Sequence, residues 1–239
     1  MAHNNSSSFA LEKQCDEIKK ALFGSNYAVM HIQLILLGAV LICICILLYK
    51  YNKNHITMHK NLKLLVANII ALYIINSLVW FVFFFRYRIL LYTYKHSCDF
   101  LSPVWMVPVF LGPPKLYSVA YPCFHFAITF ERFRSTFLAQ KYEHMGTRLI
   151  VKIIFTIWLF SLAYMLFIIC TALADPAIAG HPQGNVTITT ASNADAMLYA
   201  MVVTMVLVIS TAFCDWCIFM LNKHIHKATR QEKIQIVII

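Results

Sequence analysis

Six polar side chains recur at steps of three or four inside an apolar stretch: Lys115, Ser118, Tyr121, His125, Thr129 and Arg132. At about 100° per residue they fall on one side of a helix. Their chemistry is hydrogen bonding and cation donation, which hydrocarbon cannot solvate, so this ridge is expected to face protein. At the end of the stretch stands Glu131-Arg132, a carboxylate beside a guanidinium. Such a pair either holds its arginine locally and releases it toward a cytosolic protein, which makes a two-state switch, or is an ordinary ion pair at a membrane boundary. One further acid, Asp215, lies deep in an apolar run on a face with Thr204 and Thr211. It sits about 9 Å short of Leu221 at 1.5 Å per residue. At that depth a charge should face protein, as an internal polar lock, an ion site or the partner of one cation. No nucleophile elbow, zinc-protease helix, phosphate-binding loop or glycine-rich dinucleotide turn occurs, and the chain does not read as an enzyme. No metal site and no cofactor are expected. Cys214-x-x-Cys217 has redox spacing, but it falls in an apolar run and reads as packing.

The elements that must position these residues follow from composition. Of 239 residues 60% are hydrophobic and 13% charged, with a mean hydropathy of +0.68. A soluble domain carries about twice that share of charge, so the chain is expected to be all-α, a polytopic membrane helix bundle contacting lipid. Five spans of roughly bilayer length are visible: 27–49, 62–85, 105–130, 149–173 and 196–221. The connections are a leader at 1–26, loops at 50–61, 86–104, 131–148 and 174–195, and a tail or start of a loop at 222–239. Asn68 and Asn76 in the second span suit interhelical hydrogen bonds. Arg86 and Arg88 are expected to snorkel outward. Pro113-Pro114 suggests an irregular start to the third span, regular from about Pro114, with a bend at Pro122.

The net charge of +10 does not call for nucleic acid, because Lys and Arg cluster in loops between apolar runs. With the N-terminus outside, thirteen of the twenty lie on the cytoplasmic side and seven outside, the direction the positive-inside rule favours. The sequons at Asn4, Asn5 and Asn185 then all face outward, as glycosylation requires. Residues 1–26 lack the apolar core of a cleavable signal.

Several short patterns carry a resemblance. The run ITFERFRSTFLAQKYE, through Ile128, Glu131, Arg132, Phe133, Ser135, Thr136, Tyr142 and Glu143, resembles the third-span exit of nematode serpentine chemoreceptors. His59-Lys60-Asn61-Leu62-Lys63 is similar to that family's H-x-N-L-K before the second span, and Cys98-Asp99 to its C-D before the third. The likeness is to the alpha, beta and alpha/beta classes, most to alpha/beta, and covers roughly 61–143. It implies a seven-helix chemosensory G-protein-coupled receptor in the plasma membrane of a sensory-neuron cilium, with a small-molecule ligand outside and a heterotrimeric G protein inside. Glu131 and Arg132 would then form the switch, Lys115, Tyr117, Tyr121 and His125 the ligand site, and Arg134 and Lys141 the G-protein-facing surface. Five spans rather than seven imply a truncated product or part of a longer chain. The loop 174–195 lacks the cysteine that many seven-helix receptors bridge to the third span. Cys98 is left with Cys15 or Cys170, and Cys15–Cys98 is preferred. The readings outside this class are a small multi-span transporter and a non-signalling membrane assembly subunit.

Overall fold

A computed structural model describes residues 15–16, 19–20, 25–53, 59–138, 146–175, 190 and 192–237. The three sequons and Lys141 lie outside these residues. Among the described residues there are five long helices: α1 (Ser25–Lys53), α2 (Lys60–Thr93), α3 (Met106–Phe137), α4 (Arg148–Ala174) and α5 (Ala194–Val237). A single 3-10 turn, Ser97–Phe100, connects α2 to α3. The architecture is an all-α membrane helix bundle. Four helices, α1, α2, α4 and the Ala194–Leu221 part of α5, are long and apolar enough to cross a bilayer. The exception, α3, is diluted by its polar ridge and its prolines, and it is the central element, packed by α2, α4 and α5. Among the described elements α1 packs on α2 alone.

The core is one apolar stripe of α3 set into its neighbours. Leu116, Ala120, Phe124 and Ala127 meet Leu65, Ile69 and Leu72 of α2 and Ile150 of α4. Ala120 and Ala127 carry little side chain, which lets backbones approach where lipid offers no hydrophobic drive for association. Gly112 marks a second close approach: a Cβ there would lie 3.1 Å from Ile169 Cδ1 and 3.4 Å from Met165 Sδ of α4. Gly112→Ala should be tolerated, because the end of a flexible isoleucine can shift. Gly112→Val should cost about 1–3 kcal/mol through overpacking, read as a lower unfolding temperature in detergent.

Three boundaries differ from the expectation. The loop placed at 86–104 begins only after Thr93, because α2 continues through Arg86 and Arg88. Arg86 does not simply snorkel into water: its guanidinium donates to Ser102 Oγ at 3.2 Å, beside a 2.9 Å bond between Tyr87 and the same hydroxyl. Helix α3 starts at Met106 and runs unbroken through Pro113, Pro114 and Pro122 rather than beginning at the proline pair. Each proline costs one backbone bond and a clash in water, but within a bundle neighbouring helices and side chains absorb the break. The tail assigned to 222–239 is not separate from the last span, since α5 stays helical to Val237. Its 44 residues make it about 66 Å long, twice a hydrocarbon core.

The end of the bundle at the α2–α3 connection is tied covalently. Cys15 and Cys98 form a disulfide with Cα atoms 4.8 Å apart. Cys170, the alternative partner, is a free thiol. The backbone N–H groups of His96 and Lys95 donate to Asp99 Oδ2 at 3.0 and 2.8 Å, and these bonds hold its carboxyl below the ordinary aspartate range. A depressed folded value means that the stabilisation is fully present above the unfolded range and is lost only as pH falls through the lowered value. Asp99→Ala should therefore speed amide exchange at Lys95 and His96 at neutral pH. In the native chain, acidification into the usual aspartate range should leave those amides protected.

Candidate functional site

The chemistry-bearing residues gather where α3 meets α5. Thr129 Oγ1 donates to Asp215 Oδ1 at 3.0 Å. Arg132 Nη1 lies 3.9 Å from the same oxygen. Asp215 is thus an interhelical acceptor, held by a buried hydroxyl (Thr129 is 4% exposed) and a more distant cation. The Arg132 and Asp215 side chains are 56% and 41% exposed, so the ion pair closes the surface of the junction and not its centre.

This arrangement corrects the expected switch. Glu131 does not hold Arg132. Its Oε2 accepts from Arg134 Nη1 at 3.0 Å, and the carboxylate is buried at 1% exposure. Consecutive residues on a helix point about 100° apart, whereas residues three apart share a face. The acid therefore reaches along its own face to Arg134, and Arg132 is left to turn toward α5. Arg134, read as facing a cytosolic partner, is engaged with this buried acid.

The polar ridge is corrected as well. Of its six members only Thr129 is buried; Lys115, Tyr121 and His125 are half-buried, and Ser118 and Arg132 are exposed. Ser118 donates to the carbonyl of Lys115 at 2.8 Å and reaches no other helix through that bond. The face turned into the bundle is the apolar one, through Leu116, Ala120, Phe124 and Ala127, which ends on Glu131. Burial of apolar area and close packing against α2 and α4 decided the rotation of α3, and the ridge took the side between α2 and α5.

Three of the four residues expected to bind ligand do come together. The rings of Tyr117 and Tyr121 stack at 5.2 Å, Tyr73 of α2 closes on them at 5.8 and 5.5 Å, and His125 lies edge-on to Tyr121 at 4.3 Å. They form an aromatic column, with the half-buried Lys115 half a turn before Tyr117. None of the four lines the cleft between α3 and α5, which lies toward the C-terminal end of α3. That cleft has a volume of about 400 Å³ and is walled by Phe126, Phe130, Phe133 and Phe137 on one side and Cys214, Cys217 and Ile218 on the other, with Thr129 at its edge. The four phenylalanines recur at steps of four, three and four, a helical stripe legible in the sequence and passed over in favour of the polar one.

Two further residues were missed. Trp158 Nε1 of α4 donates to Asn68 Oδ1 of α2 at 2.8 Å, while Asn68 Nδ2 donates to Leu64 O at 2.8 Å. Asn68 was expected to bond between helices; its partner could not be read from a tryptophan in an apolar run. Tyr73 was likewise one aromatic among many. At the far end of α5, Asn193 Nδ2 donates to Thr171 Oγ1 of α4 at 3.2 Å and Asn193 Oδ1 accepts from Thr190 N at 2.8 Å, which anchors the start of α5.

No protein-family profile, no curated protein and no solved structure matches the chain.

Proposed function

We propose that the chain is a chemosensory receptor of the serpentine type, which takes a small external molecule at the aromatic column and signals to a heterotrimeric G protein at the opposite end. The observation that carries this reading is the Thr129–Asp215–Arg132 contact between α3 and α5. It is a polar joint between two long helices, formed by residues that can exchange partners, which a two-state device needs. The aromatic column begins one turn above it on the same helix, through His125 and Tyr121. A ligand that rearranges the column can therefore act on the joint through α3 alone.

The outward placement of the leader and of the α2–α3 connection is supported by the Cys15–Cys98 bridge, because disulfides persist on the oxidising side of a membrane. The excess of Lys and Arg at the opposite ends of the helices agrees. The resemblance of residues 128–143 to the serpentine chemoreceptors supplies the G protein as partner and the plasma membrane as location.

The test is guanine-nucleotide exchange by a purified heterotrimeric G protein on the protein reconstituted in bilayers, with a panel of small organic acids and neutral volatiles on the outer side. Faster exchange with at least one of them, or ligand-free exchange raised by Asp215→Ala, supports the reading. No acceleration in either arm counts against it.

A further inference from the structure

The side of α3 between α2 and α5 is polar and only partly covered. Ser118 is exposed, and so are Arg132 at 56% and Asp215 at 41%. The Ser118 hydroxyl is satisfied by the Lys115 carbonyl, but acyl chains cannot solvate the Arg132 and Asp215 charges; ionisable side chains within a bilayer turn toward protein or a water-filled cavity. The open face needs a cover, and its charges indicate which one. It presents one cation and one anion at nearly the same depth, Arg132 and Asp215, which meet at 3.9 Å through Nη1 and Oδ1. Asp215 Oδ1 already accepts from Thr129. Oδ2 accepts no bond among the described residues, and a guanidinium carries five N–H donors, most of them unused here.

We propose that this face joins two copies of the chain, with Arg132 of each copy reaching Asp215 Oδ2 of the other across a two-fold axis. A two-fold contact sets residue i against j and j against i, so the two cations and two anions alternate and their sum is zero. A face bearing only one sign of charge could not pair with itself, because like charges brought together cost several kcal/mol. Lys115, the remaining cation of the ridge, lies about 25 Å toward the outer end at 1.5 Å per residue. It is half-buried within its own chain and takes no part in this contact. The neighbouring wall of Phe126, Phe130, Phe133 and Phe137 borders the same contact with an apolar cleft. The inference rests on the membrane reading of the bundle and not on signalling, so an inactive receptor leaves it standing.

The test uses the full chain in native membranes. Cys43, Cys45, Cys123, Cys170, Cys214 and Cys217 are replaced by alanine, the Cys15–Cys98 bridge is kept, and Ser118→Cys is the reporter. Mild oxidation should link Ser118→Cys to itself in a second copy. Arg132→Asp and Asp215→Arg should each lower that cross-link about tenfold when expressed alone, because their homodimers set like charges together. Co-expressed with different tags, the two variants should cross-link to one another at the level of the parent. The mixture restores both contacts between copies while each chain keeps a repulsive pair within itself, so recovery cannot come from the intrachain bond. Formation of the Cys15–Cys98 bridge reports folding of each variant; if either fails to fold, the parent alone decides. No self-cross-link in the parent, a cross-link only to some other polypeptide, or a mixture no better than either variant alone overturns the proposal.

Discussion

Arg132→Ala is expected to abolish nucleotide exchange on the G protein while the protein still reaches the cell surface, and Asp215→Ala is expected to raise ligand-free exchange. The opposite signs follow from the geometry. If Arg132 is the group presented to the cytosolic partner, its loss removes the output, whereas loss of Asp215 removes what competes for it. The size of the second effect is bounded by the strength of the contact. An ion pair at 3.9 Å with both side chains more than a third exposed is worth at most about 1 kcal/mol, so basal exchange should rise no more than about fivefold. Thr129→Val tests the same joint from its buried side. It removes the 3.0 Å donor and leaves the cation, so it should raise basal exchange in the same direction as Asp215→Ala. If the ion pair merely holds the helices together, Arg132→Ala and Asp215→Ala will shift activity and delivery in the same direction. Exchange and surface labelling measured on one preparation separate the two cases.

Much of the fold was legible because a bilayer imposes it. Spans had to be helical, about twenty residues long and bounded by charge, and α1 and α4 begin and end within a few residues of the expected limits. The ends of α2 and α5 were not legible, since hydropathy marks where a helix leaves lipid and not where its hydrogen bonds stop. Residues such as Arg86-Tyr87-Arg88 and Lys223 are good helix members once outside. The rotation of α3 was misjudged because two stripes competed for its interior. The polar stripe demanded cover, and the apolar stripe of Leu116, Ala120, Phe124 and Ala127 offered close packing. Periodicity gives the angle between two stripes but not which neighbour each one meets. The same gap misassigned the ion pairs: adjacency in sequence suggested Glu131 with Arg132, while helical geometry joined Glu131 to Arg134 and sent Arg132 to a helix more than eighty residues further on. Asp215 was expected to face protein; it accepts from Thr129 of α3 while its side chain stays 41% exposed, and the identity of its partners required the fold.

The largest effect on stability is expected at Glu131 and Arg134. The carboxylate is 1% exposed and receives Arg134 Nη1 at 3.0 Å, with the guanidinium itself nearly covered. Taking two ions out of water costs several kcal/mol each, recovered only while both are present and well placed. Arg134→Leu removes the 3.0 Å donor to the buried acid, and it should destabilise the bundle by up to about 3–5 kcal/mol. Glu131→Leu removes the acid and leaves a guanidinium that can move toward the membrane surface, so it should cost less. The double variant Glu131→Leu with Arg134→Leu should recover most of the loss, because apolar side chains in the same volume need no solvation. Unfolding in mixed micelles, followed by helical circular dichroism for all four proteins, gives the coupling between the two sites directly. A double variant as unstable as the sum of the singles would show that the two charges act separately.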